Sequence, residues 1–248
     1  MRRNSLAFIL FLALVQSLSS APAVQSADEV IEKYLEAVGG RAALSKLTSR
    51  RSVGKMTINT QAGAMDGVVE TNEKAPNKLR VLTKVDLSSV GAQPMVVESV
   101  FDGTDGWTSG LQGRQQISGE ELDEMRNNTF PTPLLDYKAA GATALLLPRE
   151  KVSGKPLIVV SLTPVKGRVV RMYFDPDTYL LVRKTTRVSG PGSGGSDQII
   201  ELSDYRDVGG IKTAFKYINT TFGQKSTVKL DKVEHNVPLD DALFAVKK

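Results

Sequence analysis

The sequence predicts a mainly β protein of the α+β class: a strongly curved antiparallel sheet, an open half-barrel, with covering helices. Three observations carry this. From Gly167 onward the chain is a run of strands joined by turns that can be named individually. From Arg51 to Phe101 hydrophobicity alternates with a period of two. Helical periodicity is confined to an N-terminal segment and one insert, so short strands with tight links form a meander rather than βαβ units.

Length and composition allow one domain. The chain has 248 residues and 41% hydrophobic content, ordinary for a globular protein with its own core. Residues 1–26 read as a signal peptide: Arg2 and Arg3 form a basic start, Leu6 to Leu18 is apolar, and small residues follow at Ala21-Pro22-Ala23 and Val24-Gln25-Ser26. That apolar run falls short of the ~20 residues of a membrane span. Residues 27–248 are then expected to form a single exported domain. The absence of Cys excludes disulfides, thiolate metal sites, Cys nucleophiles and a lipobox.

The domain opens with a helix, Asp28 to Val38, whose Val30, Ile31, Tyr34, Leu35 and Val38 share one face. Asp28 and Glu29 suit its N-terminus and Gly39-Gly40 ends it. Arg41 to Leu47 adds a short helical turn. Strands follow over Val53–Asn59, Gly63–Glu73, Lys78–Leu87 and Pro94–Phe101. In the third, Leu79, Val81, Thr83 and Val85 face inward while Lys78, Arg80 and Lys84 face out. Asp102-Gly103-Thr104-Asp105-Gly106 is a turn leading into Trp107.

A helical insert comes next. Ser118-Gly119-Glu120-Glu121 has the form of a capping box, Leu122, Met125 and Asn127 continue it, and Pro131-Thr132-Pro133 ends it. Leu134-Leu135 and Ala139 to Leu147 form an apolar stretch, after which the sheet resumes at Leu157. Arg168–Phe174 turns through Asp175-Pro176-Asp177-Thr178 into Tyr179–Thr185; Pro176 presets a type I turn that Asp175 caps. Ser189 to Ser196 is a Gly/Ser/Pro loop. Gln198–Arg206 turns through Asp207-Val208-Gly209-Gly210 into Ile211–Thr221, and Gly223-Gln224 leads to Ser226–Glu234.

These C-terminal segments resemble those of the LolA-like, or outer-membrane lipoprotein-sorting, proteins. The resemblance rests on Tyr173–Arg183, Asp204–Tyr217 and Val233–Phe244, about a third of the chain. Thr213-Ala214 departs from it, because relatives often carry a proline before the aromatic. It implies a half-barrel whose helices cover a hydrophobic cavity, and a carrier or chaperone that shields lipoprotein acyl chains or another lipid in transit to the outer membrane. Its partners would be those lipids together with a membrane-protein donor and acceptor. Some relatives in the wider superfamily act as envelope sensors, which makes a non-catalytic interaction domain the alternative.

The chemistry-bearing residues agree with a binding protein that is not an enzyme. His235 is the sole histidine, which excludes a multi-histidine metal site, and no G-x-S-x-G elbow accompanies it. Glu98, Asp102 and Asp105 could supply a carboxylate pair for glycoside hydrolysis, but turn chemistry accounts for the two aspartates. No cofactor is implied; the glycines of 190–195 lack the lysine and helix of a phosphate loop. Without Arg2 and Arg3 the balance is 30 basic against 27 acidic residues, a net charge of +3. That is too small and dispersed for nucleic acid, and Lys and Arg at alternating strand positions read as a solvent face. Phe101, Trp107, Leu122 and Met125 are the residues expected to line a hydrophobic-ligand cavity, with Met suited to varied ligand shapes.

Overall fold

The computed structural model describes residues 26–60, 63–88, 91–190 and 194–246. The expected signal segment lies outside them except for Ser26. Helix α1 spans Ala27–Ala37, started by Ser26, whose Oγ accepts from the amide of Glu29 at 3.1 Å. A one-turn helix α2, Arg41–Leu44, follows Gly39 and Gly40. Strands β1 (Ser49–Thr60), β2 (Gly63–Lys74), β3 (Lys78–Val85), β4 (Met95–Phe101), β5 (Gly106–Gly110) and β6 (Gly113–Ile117) form the first meander. Helix α3, Gly119–Asn127, precedes the second: β7 (Thr143–Val152), β8 (Lys155–Thr163), β9 (Val170–Phe174), β10 (Leu181–Val188), β11 (Ser196–Val208), β12 (Ile211–Thr221) and β13 (Gln224–His235).

The two meanders share one curved, unclosed antiparallel sheet of 13 strands, joined where β1 pairs with β13. Its edges are β6 and β7, which are consecutive in sequence. The chain between them, 118–142, therefore passes from one edge of the sheet to the other. Topology alone turns this insert into a strap.

Tight turns set the register of the second meander. Ser153-Gly154, Gly209-Gly210 and Phe222-Gly223 each have positive φ at both central residues and close the pairs Val152–Lys155, Val208–Ile211 and Thr221–Gln224. These are two-residue turns of the primed kind, whose twist matches that of the strands. The last one sits a residue earlier than the Gly223-Gln224 turn expected from sequence, because Phe222 itself adopts a φ of 49°. Asp175 does cap its turn, with Oδ1 accepting from the amides of Asp177 and Thr178 at 3.0 and 3.1 Å.

Three further expectations are corrected. The sheet resumes at Thr143 rather than Leu157, since Ala144 and Leu146 face the core while Leu145 between them stays exposed. Ser118 precedes α3 but makes no capping bond: Gly119 enters with φ 60°, which turns the following amides away from the hydroxyl. Lys and Arg also do not keep to the solvent face, as Arg50 and Lys184 both line the interior.

The main core lies between α1 and the concave face of β8–β10. Ile31 and Leu35 are fully buried and pack in one cluster with Ile158, Val160 and Phe174. Tyr34 meets the Phe174 ring edge-on, with centroids 5.5 Å apart. Each such aliphatic contributes roughly 1.5–3 kcal/mol on burial, so α1 is a fixed part of the fold.

Candidate functional site

Under the strap, the concave face encloses two adjoining chambers. The first, about 300 Å³, has Leu162, Val170, Met172 and Ile200 on the sheet wall, Leu79 from β3, and Met125 from α3 above. The second, about 230 Å³, lies toward α1 and is bounded by Tyr34, Leu44, Leu181, Leu202, Tyr205 and Tyr217. Met172, Lys184, Asn128 and Pro133 line both chambers, so they meet there. Leu202 and Tyr205 can face the same space because Asp204 between them takes a φ of 55°.

Polar groups share the lining with apolar ones, most of all in the second chamber. Arg50 of β1 and Glu73 of β2 are cross-strand partners, joined by two hydrogen bonds of 2.5 and 2.8 Å inside the second chamber. Burial works against the Arg50 charge, but Glu73 outweighs it and holds the guanidinium above its ordinary range. Burial pushes the phenols of Tyr34, Tyr205 and Tyr217 up, which keeps them neutral. Tyr205 donates its hydroxyl to the Leu181 carbonyl at 2.6 Å.

Lys184 is the exception. It reaches the concave face because β10 carries a bulge between Leu181 and Arg183. Leu181 pairs with Phe174 and faces inward, Arg183 pairs with Tyr173, and Lys184 pairs with Met172, inward again. Lys184 is partly buried, and its side chain lines both chambers. Burial lowers its pKa from the usual lysine value.

Helix α3 is held differently from α1, although the strap beyond it is not: Leu134, Leu135 and Tyr137 are buried in the same core cluster as Ile31 and Leu35. Helix α3 has no buried residue. Its anchors are polar and lie at both sides: Arg126 donates to the Thr104 carbonyl at 2.9 Å in the β4–β5 turn. Across the mouth, Arg168 reaches Glu124 at 2.5 Å and Glu120 at 2.9 Å, and Asn127 donates to the Lys166 carbonyl at 2.7 Å. Further along, the strap is tied to the N-terminal helices: Arg41 donates to the Leu135 carbonyl at 2.6 Å, and Tyr137 and Lys138 both engage Asp28.

Of the residues expected from sequence to line a cavity, Met125 lines the first chamber. Phe101 pairs with Gly106 and is fully buried in the floor of the sheet. Trp107, one residue further along β5, faces the other side of the sheet, where the Arg114 guanidinium lies 4.4 Å from its ring centre. Leu122 is partly buried on α3 and lines neither chamber. Asp102 caps its own turn, accepting from Thr104 and Asp105 at 2.8 and 2.9 Å, while Glu98 pairs with Arg80 at 2.7 Å. The carboxylates of Glu98 and Asp102 are thus engaged in structure, and Asp105 takes part in the turn through its backbone. His235 borders Arg50 in register and places Nδ1 3.2 Å from the Val208 carbonyl. Among the described residues no cluster of His, Cys, Asp and Glu is arranged to hold a metal, and no helix is long and apolar enough to cross a membrane.

No family model and no curated protein sequence matches the chain. Solved structures do. A domain described as an outer membrane lipoprotein-sorting protein from Vibrio parahaemolyticus aligns with TM-score 0.58 and 11% identity over 88% of this chain and 95% of its own. A DUF1329 family protein from Desulfovibrio piger gives 0.57 and 16% over 88% and 97%. A LolA superfamily protein from Nitrosomonas europaea gives 0.57 and 13% over 90% and 99%. At these identities the likeness is one of fold, and the fold of this chain is LolA-like.

Proposed function

We propose that this chain is a periplasmic carrier that takes lipoprotein acyl chains, or the chain of another lipid, into the cavity under its strap for passage to the outer membrane. The observation that carries the reading is the contrast between the two covers of the concave face. Helix α1 is anchored by fully buried Ile31 and Leu35, whereas α3 buries nothing and is fastened by polar contacts. An apolar space beneath a cover of that kind can be opened without disrupting the core.

Size and chemistry support the same reading. Small-molecule sites run from about 300 to 1,000 Å³. The first chamber, about 300 Å³, stands at the lower end, room for one chain while the strap is shut. Each buried methylene contributes about 0.8 kcal/mol, so ten contribute about 8 kcal/mol before the costs of association, the scale of micromolar binding. No step requires a catalytic group or a nucleotide. Loading is reversible shielding: the α3 part of the strap lifts, the chain enters, and an acceptor of higher affinity removes it. The likeness in fold to a domain described as lipoprotein-sorting supports this class of cargo, and the basic, apolar start of the sequence supports export.

Expression of the full chain in a Gram-negative host, detergent-free purification from the periplasm and mass spectrometry of the organic extract test the proposal. Acyl lipid in near-stoichiometric amount is expected. Absence of the protein from the periplasm, or an empty protein that also fails to bind an added apolar dye, would contradict it; an empty protein that instead captures a membrane-protein domain would favour a sensing role.

A further inference from the structure

Among the described residues, Lys184 is a partly buried charge of the concave face without a counter-ion, whereas Lys212, which also lines the second chamber, is exposed to solvent. Lys184 stands in a row of cross-strand neighbours, Val160–Met172–Lys184–Ile200, that is otherwise apolar. It has no hydrogen bond or ion pair among the described residues. Glu73 acts on it only from a distance and has committed both carboxylate oxygens to Arg50. Two strap acids also border the first chamber: Glu124 is engaged by Arg168, and Glu121 is exposed to solvent. The phenols that line the second chamber are neutral.

A partly buried ammonium with no partner on an apolar wall is costly, and the fold does not require one at this point. Met172 and Ile200, its neighbours in register, are apolar residues facing the same space. The charge therefore has its use when something anionic fills the cavity, where a charge-assisted hydrogen bond in a low-dielectric site is strong. Lys184 lines both chambers, whose walls include Val170 and Leu162 in the first and Leu181 in the second.

We infer that the cavity selects a single-chain anionic amphiphile, a long-chain carboxylate, with its head on the Lys184 ammonium and its chain along the apolar wall. This rests on the carrier reading above and narrows its ligand. One chain follows from the volumes, about 300 and 230 Å³, at and below the lower end of the small-molecule range.

The test is displacement of a neutral apolar dye, N-phenyl-1-naphthylamine, from the exported full-length protein. Palmitate, hexadecanol and dipalmitoylphosphatidylglycerol serve as competitors, with wild type, Lys184→Met and Lys184→Arg compared. Palmitate should displace the dye from wild type at a concentration at least about tenfold below hexadecanol, as expected for a hydrogen bond to a charged group. Lys184→Met should erase that preference and Lys184→Arg keep it, with retained binding of dye and hexadecanol by both variants showing an intact cavity. Raising the pH from about 7 to about 10 should weaken palmitate alone, as the amine loses its proton. A preference that survives in Lys184→Met, or none in wild type, overturns the inference while leaving the carrier reading in place. Phosphatidylglycerol displacing at lower concentration than palmitate, through Lys184, also overturns it by assigning the amine to a phospholipid headgroup. If wild type binds neither dye nor hexadecanol, the carrier reading fails and this assignment with it.

Discussion

Arg168, on the connection between β8 and β9, holds Glu124 of α3 at 2.5 Å and so ties the strap to the far side of the cavity mouth. The Arg168 side chain is 18% exposed and that of Glu124 33%, so the pair is partly screened by water. Its loss should cost global stability no more than about 1 kcal/mol. Its effect on the strap should be larger than its effect on the fold. In Arg168→Ala, amide hydrogen exchange over 119–127 should accelerate while exchange in β8 and β12 stays at the wild-type rate. Uniform acceleration across the sheet would show that the strap does not open on its own.

The two covers should respond differently to truncation. Leu35→Ala removes a fully buried side chain from the α1 core, and such changes cost about 2–5 kcal/mol. Leu122→Ala on α3, where nothing is buried, should cost less than about 1 kcal/mol. Urea denaturation of both variants checks the contrast. Similar losses for the two would mean that α3 is packed as firmly as α1.

Arg50 and Glu73 should behave as a unit. Arg50→Met leaves the Glu73 carboxylate inside the cavity without its partner, a change that costs about 3 kcal/mol or more. The double variant Arg50→Met/Glu73→Leu removes both charges and should recover most of that loss. Chemical denaturation of the two single variants and the double variant gives the coupling directly. An additive result would show that the pair is solvated in solution.

His235 should give stability a slope in mild acid. Burial, followed by the Arg50 charge, lowers its pKa from the ordinary imidazole value, and its Nε2 is buried without a partner. Glu73 and the Val208 carbonyl act the other way and do not reverse the shift. The unfolded chain then takes up a proton near pH 6.5 that the folded state resists. This source of pH dependence is flat above about pH 6.5, and stability falls as the pH drops from there toward the lowered folded value. Melting temperatures between about pH 7 and pH 5 should fall less steeply in His235→Gln than in wild type. Equal slopes would place the ring in water.

The curved sheet was legible in the sequence because its signals are local. Turn residues such as Asp175 and Gly209-Gly210 act within four residues, and alternation in Lys78–Val85 assigns Leu79 inward without knowledge of the partner strand. The cavity was much less legible. Alternation continued from Leu181 puts Lys184 on the solvent face, and only the bulge at Val182, a feature of the β9–β10 pairing, turns it inward. Trp107 and Phe101 are adjacent to a turn whose register decides which of them faces the concave side. The course of the strap depends on β6 and β7 being opposite edges of one sheet, which is a property of the whole chain. A lysine directly after an arginine in an amphipathic strand is nonetheless a usable signal, since without a bulge one of the two must face inward.

The most direct test of the account is to lock the strap and measure uptake. Gly167 comes so close to α3 that a β-carbon placed on it would lie 3.3 Å from the β-carbon of Asp123 and 3.0 Å from Nδ2 of Asn127, whose side chain would shift by a few tenths of an ångström; the first distance is just under the ~3.5–4.5 Å that a disulfide spans. The chain has no cysteine of its own, so Asp123→Cys/Gly167→Cys introduces one staple and nothing to compete with it. The φ of 93° at Gly167 adds a strain of about 1–3 kcal/mol, which a covalent bond can withstand. Uptake of a fluorescent acyl lipid from vesicles is then followed in the oxidised and reduced protein. Uptake by wild type, none by the oxidised variant, and recovery on reduction are expected. Uptake at the same rate with the staple closed, or no uptake by wild type, would contradict the account.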